Sequence, residues 1–234
     1  MRTLFIANKN YSSWSLRPWV LMRTLGIPFE EKLVAFAEQS APNWAAFRTF
    51  SPTGRVPCLH DGALKVWDSL AITEFLAEQH PAVWPADVAA RAWARCAAAE
   101  MHSGFSALRQ QCSMHVGYRI AISAISPALQ QDLNRLDELW GDGFTRFGGP
   151  FLAGPSFTAA DAFFAPVAFR IQTYGLPMAQ ASLAYAKRLL ELPAMQEWTQ
   201  AALQEPWDDP AHDADALAAG RLLHDHRQPA RLGG

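Results

Sequence analysis

Apolar residues fall first in a run, at positions 4–7, and then at helical spacing over 16–25, ahead of Gly26 and Pro28. The run predicts a buried strand, and the periodic stretch a helix stopped by a glycine cap and a residue without an amide hydrogen. Mixed apolar content over 29–36 predicts a second strand, and 43–50 a short aromatic-rich helix. Positions 56–60 and 64–67 read as paired strands turned by Asp61-Gly62, and 69–79 as a helix carrying Ile72, Phe75 and Leu76. The order βαβαββα implies a small mixed sheet with helices on its faces, because parallel neighbours need helical crossovers while the last pair turns tightly.

The pattern changes after residue 79. Positions 80–87 hold two prolines and a Trp84 that reads as exposed, a linker composition, and no strand is predicted beyond them. Trp93, Ala97, Met101, Phe105 and Leu108 recur at spacings of three and four, as do Leu129, Leu133, Leu136, Trp140 and Phe144 after a break at Pro127. These predict two long amphipathic helices. A third starts at Thr158-Ala-Ala-Asp161, a hydroxyl followed three residues later by a carboxylate, and runs through Phe163, Phe164, Val167 and Ile171. Positions 186–190 and 195–203 predict shorter helices, and from 205 onward a mixture of Pro, Asp, His and Gly reads as a tail lying loosely on the surface. The expected organisation is a mixed unit over 1–79, a linker over 80–87, an all-helical unit over 88–204 and a tail over 205–234.

Composition narrows the function. Half of the 234 residues are apolar, ample for a sizeable core. Lys and Arg number 20 against 22 Asp and Glu, and the formal charge of -2 supplies no basic field for nucleic acid, which favours a small-molecule ligand. No apolar run approaches the length of a membrane span, and the opening one is too short for a secretory leader, so a soluble, cytoplasmic protein is expected. Cys58, Cys96 and Cys112 have no metal-ligand spacing and are expected to be buried thiols in a reducing compartment. His224-Asp225-His226 has no further ligand nearby and is expected to be solvated rather than to hold a metal.

Two segments carry candidate chemistry. Residues 51–76 pack the Val56-Pro57 strand, the Asp61-Gly62 turn and an Asp68-Ser69 helix start into one stretch. Backbone groups freed by a proline then lie near helix N-terminal amides, an arrangement suited to a small anionic, peptide-like ligand. Nearer the N-terminus, Pro18 fits a helix only within the first turn, which predicts a helix start near Trp14 or Ser15, with Ser12 and Ser13 just ahead of it. There the free amides and the positive end of the helix dipole favour an anion, and a serine hydroxyl can donate to a thiolate. The same serines also suit plain turn and cap roles.

Three strings carry a resemblance: Tyr11-Ser12-Ser13-Trp14-Ser15-Leu16-Arg17, Gly54-Arg55-Val56-Pro57 through Asp68-Ser69-Leu70-Ala71-Ile72, and Phe151-Leu152-Ala153-Gly154 leading to Thr158-Ala159-Ala160-Asp161-Ala162. With the βαβαββα unit joined to helices, the chain resembles the cytosolic glutathione S-transferase superfamily, and the Ser-Ser-x-Ser-x-Arg string is most similar to its serine-bearing zeta class. The resemblance implies a thioredoxin-like amino-terminal domain, an all-α carboxy-terminal domain, glutathione as substrate or cofactor, and a homodimer. It implies that Ser12, with Ser13 second, stabilises the glutathione thiolate. It further implies that Arg55, Val56, Pro57, Asp68 and Ser69 bind glutathione, with a cis bond before Pro57 and with Ser69 gripping the γ-glutamyl carboxylate. The family usually has Glu or Gln where this chain has Asp68. Thr158 and Asp161 match its helix-capping box, and losing Asp161 is expected to cost about 1 kcal/mol or more through capping.

For the second substrate the resemblance implies a cleft against the first helix after the linker, where His102, Phe105 and Arg109 form one line at spacings of three, four and seven. Arg109 there suits an anionic substrate, and the helix also has to bury Met101, Phe105 and Leu108. The implied activity is conjugation of a small electrophile or isomerisation of a dicarboxylate-like acid. The alternative is a non-enzymatic binding module in a protein complex, against which the retained Ser12, Arg55, Val56, Pro57, Asp68 and Ser69 speak.

Overall fold

A computed structural model of the chain describes residues 1–36 and 43–227. Strand β1 (Arg2–Ile6) runs parallel to β2 (Glu30–Leu33) and antiparallel to β3 (Cys58–Asp61), which turns back into β4 (Leu64–Trp67). The sheet order is β2-β1-β3-β4, with Thr3 opposite Glu30 and Leu4 opposite Leu59. The two-residue period of β1 divides its side chains between two cores. Leu4 and Ile6 join the main core, whereas Phe5 packs on a smaller cluster of Ala7, Phe47, Phe50 and Cys58 beside α2 (Asn43–Phe47).

Helix α1 (Ser13–Thr24) is buried from Ser15 to Met22, because it is covered on both sides. It packs on α3 (Ser69–Ala77) within the first unit, and on α7 (Ala159–Tyr174) and α9 (Pro193–Leu203) of the helical half. Gly26, at φ 66°, ends it as the sequence predicts. Pro18 sits deeper than expected, beyond the first turn, since the helix begins at Ser13 with Ser12 as its N-cap. The amide that Pro18 lacks would have bonded the Trp14 carbonyl one turn back.

The helical half consists of α4 (Val88–Ser103), α5 (Ser106–Gln111), α6 (Pro127–Phe147), α7, α8 (Gln180–Leu190) and α9. Helix α7, buried along nearly its whole length, is its centre. Asp161 Oδ2 accepts from the Thr158 amide at 2.8 Å and the Thr158 hydroxyl at 3.2 Å. Its Oδ1 accepts from the Leu152 amide at 3.0 Å and the Tyr185 hydroxyl at 2.8 Å, so one buried carboxylate ties the cap to α8 and to the loop before α7. The fold is thus a thioredoxin-like unit joined to a helical domain.

Several local expectations fail for identifiable reasons. Trp84 is 4% exposed, held against the core beyond a 3-10 turn over Pro81–Val83. Cys96 is exposed, while Cys58 and Cys112 are buried. The long helix expected through Leu108 breaks at Gly104 and at Phe105, which adopts φ 55°. A β-carbon at position 104 would lie 2.8 Å from the Glu100 carbonyl oxygen, and the Gly104 amide closes α4 on that oxygen. The segment from 205 is not loose. It forms α10 (Pro210–Leu217) and strand β6 (Gly220–Asp225), which pairs antiparallel with β5 (Tyr118–Ile122) where no strand was expected. Gly220 permits the pairing, since a β-carbon there would stand 2.0 Å from the Ala121 carbonyl oxygen. Residues 228–234 of the expected tail lie outside the described residues.

Candidate active site

The cleft between the sheet unit and the helical half falls into two adjoining hollows that share Trp14, Arg55 and Val56. The first also takes in Ser12, Ser13, Arg109 and Arg170, and the second Pro57, Asp68, Ser69 and His102. All the expected glutathione and thiolate residues therefore border one continuous cleft. They get there because α1 and α3 both begin at this edge of the sheet, and the Val56-Pro57 segment lies between them.

Ser12 is 6% exposed and donates to Ser15 Oγ at 2.7 Å, while Ser15 Oγ accepts from the Ala7 amide at 3.3 Å. Ser13, the first helical residue, is half-buried. Tyr11 beside them is no candidate for activating a thiol. Its hydroxyl donates to Asp213 Oδ1 at 2.9 Å and accepts from the Asp209 amide and Arg227, and burial raises its pKa above the ordinary phenol value. Cys58 points to the Phe50 carbonyl at 3.6 Å, and burial raises its pKa; burial likewise pushes Cys112 up to about 12. Neither thiol is a ready nucleophile.

In the second hollow the Val56-Pro57 bond is cis, and no group among the described residues bonds the Val56 amide or carbonyl. Asp68 stands at φ 73° and uses Oδ1 to cap α3, accepting from the Leu70 amide at 2.8 Å and the Ala71 amide at 3.4 Å. Its Oδ2 is 3.4 Å from His102 Nε2. Ser69 is 1% exposed, and its hydroxyl has no partner among the described residues. A buried, unpaired hydroxyl at the start of a helix is a place for an anionic group. The fit to a peptide-like ligand with a terminal carboxylate is good: an unpaired backbone edge at Val56, and at Ser69 a free hydroxyl beside an amide that Asp68 does not cap.

The expected line His102, Phe105, Arg109 does not survive the break between α4 and α5. His102 faces the second hollow, Arg109 the first, and Phe105, 6% exposed, borders neither and packs in the core. Burial lowers the His102 pKa against the pull of Asp68, with Arg17 and Arg109 lowering it further.

Several residues of the cleft had no assigned role in the sequence reading. Trp14 lies at the junction of the hollows, with the Arg17 guanidinium 4.1 Å and the Arg109 guanidinium 4.8 Å from its ring. Arg170 projects from the apolar helix α7, and a lone charge among Phe163, Phe164, Val167 and Ile171 was the available signal. His212 of α10 stacks on Tyr11 at 5.1 Å and on Phe36 at 4.7 Å, closing one side of the first hollow. Behind it, Asp213 takes Tyr11, Tyr118 at 3.1 Å, His115 Nε2 at 2.9 Å and Arg227 at 3.0 Å. The Tyr118 amide donates to His115 Nδ1, which leaves the proton of a neutral ring on Nε2 for Asp213. That carboxylate is held down to about 2; burial raises it, but His115, Arg227 and Tyr11 outweigh burial. Among the described residues no group of three His, Cys, Asp or Glu could hold a metal ion, and no helix is long and apolar enough to cross a membrane.

Comparison with known proteins fits this geometry. Family models described as the N-terminal domain and the C-terminal domain of glutathione S-transferase match residues 11–79 and 120–201. Glutathione S-transferase F14 of Arabidopsis thaliana is 31% identical over 158 residues, 63% of this chain and 61% of that protein. Dichloromethane dehalogenase of Methylorubrum extorquens is 34% identical over 58 residues, 25% of this chain and 20% of that protein. The chain thus spans less than two thirds of the length of these curated relatives. Among solved structures, a glutathione transferase homologue from Burkholderia GL BGR1 with bound glutathione is 26% identical, with a TM-score of 0.64 over 85% of this chain and 96% of that one. A theta class glutathione S-transferase from Xanthomonas axonopodis pv. citri with glutathione bound is 25% identical, with a TM-score of 0.62 over the same 85% and 96%.

Proposed function

The chain belongs to the glutathione S-transferase superfamily, and from that premise we propose that it is a glutathione transferase whose thiolate is stabilised by Ser12 at the start of α1. The observation that carries the reading is the buried, unpartnered Ser69 hydroxyl in the same cleft as Ser12. Glutathione spans the two hollows: the Ser69 hydroxyl and amide take the γ-glutamyl carboxylate, the Val56 backbone pairs with the cysteinyl segment, and Arg55 and Pro57 flank it. Asp68 acts through its cap, which orients Ser69, and its Oδ2, shared with His102 at 3.4 Å, attracts the γ-glutamyl ammonium.

The thiolate then lies over the first turn of α1. There the Ser12 hydroxyl turns from Ser15 to donate to sulfur, and Ser15 reverses its own hydroxyl to support Ser12. Ser13 is the second candidate. With the thiolate formed, its sulfur attacks the electrophilic carbon of a small substrate in the first hollow; in an isomerisation the sulfur adds, the adduct rotates and the sulfur leaves again. The Ser-Ser-x-Ser-x-Arg string supports a zeta-like isomerase as the finer assignment. Residues 1–79 form the glutathione-binding domain and 88–204 the helical domain of a cytoplasmic homodimer, a state that sedimentation tests.

Glutathione titration by calorimetry and turnover of 1-chloro-2,4-dinitrobenzene test the proposal. Ser69→Ala should raise the glutathione Kd by roughly tenfold or more, the loss of one hydrogen bond to a charged group. A protein that neither binds glutathione nor loses activity on joint Ser12→Ala and Ser13→Ala replacement is no such enzyme.

A further inference from the structure

Four arginines stand in or behind the first hollow without a carboxylate partner among the described residues: Arg55 on the loop before β3, beside the proposed glutathione site, and Arg17, Arg109 and Arg170 on α1, α5 and α7. Arg170 is 5% exposed and spends Nε on the Cys112 carbonyl at 2.8 Å and Nη1 on the Pro166 carbonyl at 3.2 Å. Arg109 Nη2 bonds the Met101 and His102 carbonyls, while its buried Nε has no partner. Arg17, 2% exposed, leaves Nε and Nη1 unpaired beneath Trp14. The hydroxyl of Ser113, which borders the same hollow between Arg109 and Met114, is also buried and unpartnered. Two carboxylates act on them through charge without an ion pair: Asp132, which accepts from the Leu108 amide at 2.9 Å, favours the charge of Arg109, and Asp68, which caps α3, that of Arg17. No ion pair reaches Arg17, Arg109 or Arg170 among the described residues.

Such a cluster is expensive to bury. Burial pushes the Arg170 guanidinium down to about 10 and that of Arg17 well below its ordinary value, and Arg109 adds repulsion to both. A guanidinium keeps its proton in proteins, so the penalty is relieved by an anion rather than by ionisation change. The Ser69 hydroxyl and amide offer glutathione's γ-glutamyl carboxylate a place at the other end of the cleft. Arg109, Ser113 and Arg170 all come from the helical half, opposite the Ser12 hydroxyl. Phe36, Phe47, Trp14 and Met114 give that hollow aromatic and apolar walls, beside Ser12, Ser13, Arg55 and His212.

We propose that Arg109, Arg170 and Ser113 anchor a carboxylate of the second substrate, so that the enzyme acts on electrophiles bearing an acid group on an aromatic or unsaturated body. Arg17 is a positioning residue: it acts through Trp14 and through its field. The inference rests on the glutathione transferase reading for its chemistry but not for its binding site. In the test reaction with 4-chloro-3-nitrobenzoate, the glutathione sulfur forms a bond to the ring carbon, chloride leaves with the pair of the broken C–Cl bond, and the thiol proton goes to solvent.

The experiment compares kcat/KM for 4-chloro-3-nitrobenzoate and its methyl ester in the wild type, Arg109→Gln and Arg109→Lys, beside calorimetric titration of 3-nitrobenzoate in the absence of glutathione. The expected results are an acid-to-ester preference of roughly tenfold or more in the wild type, a charge-assisted pair favouring the acid. Arg109→Gln should lose that preference, Arg109→Lys should recover part of it, and 3-nitrobenzoate should bind the wild type and weaken at least tenfold in Arg109→Gln. An unchanged acid-to-ester ratio in Arg109→Gln together with a raised KM for glutathione would assign the arginines to a glutathione carboxylate and overturn the proposal. Absence of turnover with 3-nitrobenzoate still bound in an Arg109-dependent way would defeat the transferase reading while keeping the anion site. Failure of the wild type to bind 3-nitrobenzoate at millimolar concentration would defeat the anion site itself.

Discussion

Replacing Ser12 by alanine separates its hydroxyl from the helix terminus on which it sits. A free cysteine thiol has a pKa near 8.5, and two features of the cleft lower it for bound glutathione. A hydroxyl donating to a thiolate is a hydrogen bond to a charged group, worth about 1.5–3 kcal/mol, or about 1–2 pKa units. The α1 terminus contributes about 0.3–1 kcal/mol, less than one unit, and remains in Ser12→Ala because the backbone and Ser13 still open the helix. The variant's thiol pKa should therefore rise by about 1–2 units.

The consequence depends on pH. Below both pKa values the thiolate fraction, and with it kcat/KM, should fall by about 10- to 100-fold; near pH 9.5 and above, by about then, the two enzymes should converge. The assay is the pH profile of kcat/KM with 1-chloro-2,4-dinitrobenzene, matched by the ultraviolet absorbance of the bound thiolate. Ser15→Ala should shift the same limb by less, since Ser15 acts only through the 2.7 Å contact to Ser12. A deficit in Ser12→Ala that is constant across pH, with the acid limb unmoved, refutes the hydroxyl-to-thiolate bond. The same shift appearing in Ser13→Ala instead transfers the role to its neighbour.

Two further predictions concern what holds the cleft together. Asp161→Ala strips acceptors from two buried amides and the Tyr185 hydroxyl at once, so it should destabilise the fold by about 3–5 kcal/mol and lower Tm by about 10 °C or more in calorimetry; a loss below about 1 kcal/mol would mean that the network is not the support described. Glu205 accepts from the Lys9 amide at 2.6 Å and the Asn10 amide at 3.4 Å, and burial raises its pKa to about 7 despite these donors. Its folded pKa lies above the unfolded one, so its contribution is complete at low pH and is lost as pH rises through about 7. His102 and His115, with lowered pKa values, tilt stability the opposite way as pH falls, so the informative quantity is the difference between Glu205→Gln and wild type. That difference should favour the variant increasingly from about pH 5 to about pH 8 in urea titrations, by an amount on the order of 2–3 kcal/mol, and a flat difference would contradict it.

The sequence by itself determined the sheet unit and most helix starts and ends, because those depend on local rules. A two-residue period puts Leu4 and Ile6 on one face, Gly26 stops α1, Asp61-Gly62 turns β3 into β4, and Thr158 with Asp161 opens α7. It also supplied Ser12, Ser13, Val56 and Ser69 as residues that border one cleft, since each sits at an element's start or beside a proline. Tertiary structure alone decided what crosses between distant segments. Trp84 read as exposed and the 205–227 segment as loose because what holds them lies elsewhere in the fold: Trp84 is buried against the core, Arg227 and Asp213 reach back to Tyr11, and Glu205 to the amides that lead into Ser12. Phe105 and Arg109 shared a helical period, yet a glycine whose β-carbon would strike the Glu100 carbonyl breaks the helix between them and sends one into the core and the other into the cleft. Arg17, Arg109 and Arg170 are far apart in sequence, and only packing of α1, α5 and α7 gathers their unpaired charge at one place. Periodicity records which way a side chain points from its own element, whereas electrostatic clustering depends on where the elements end up.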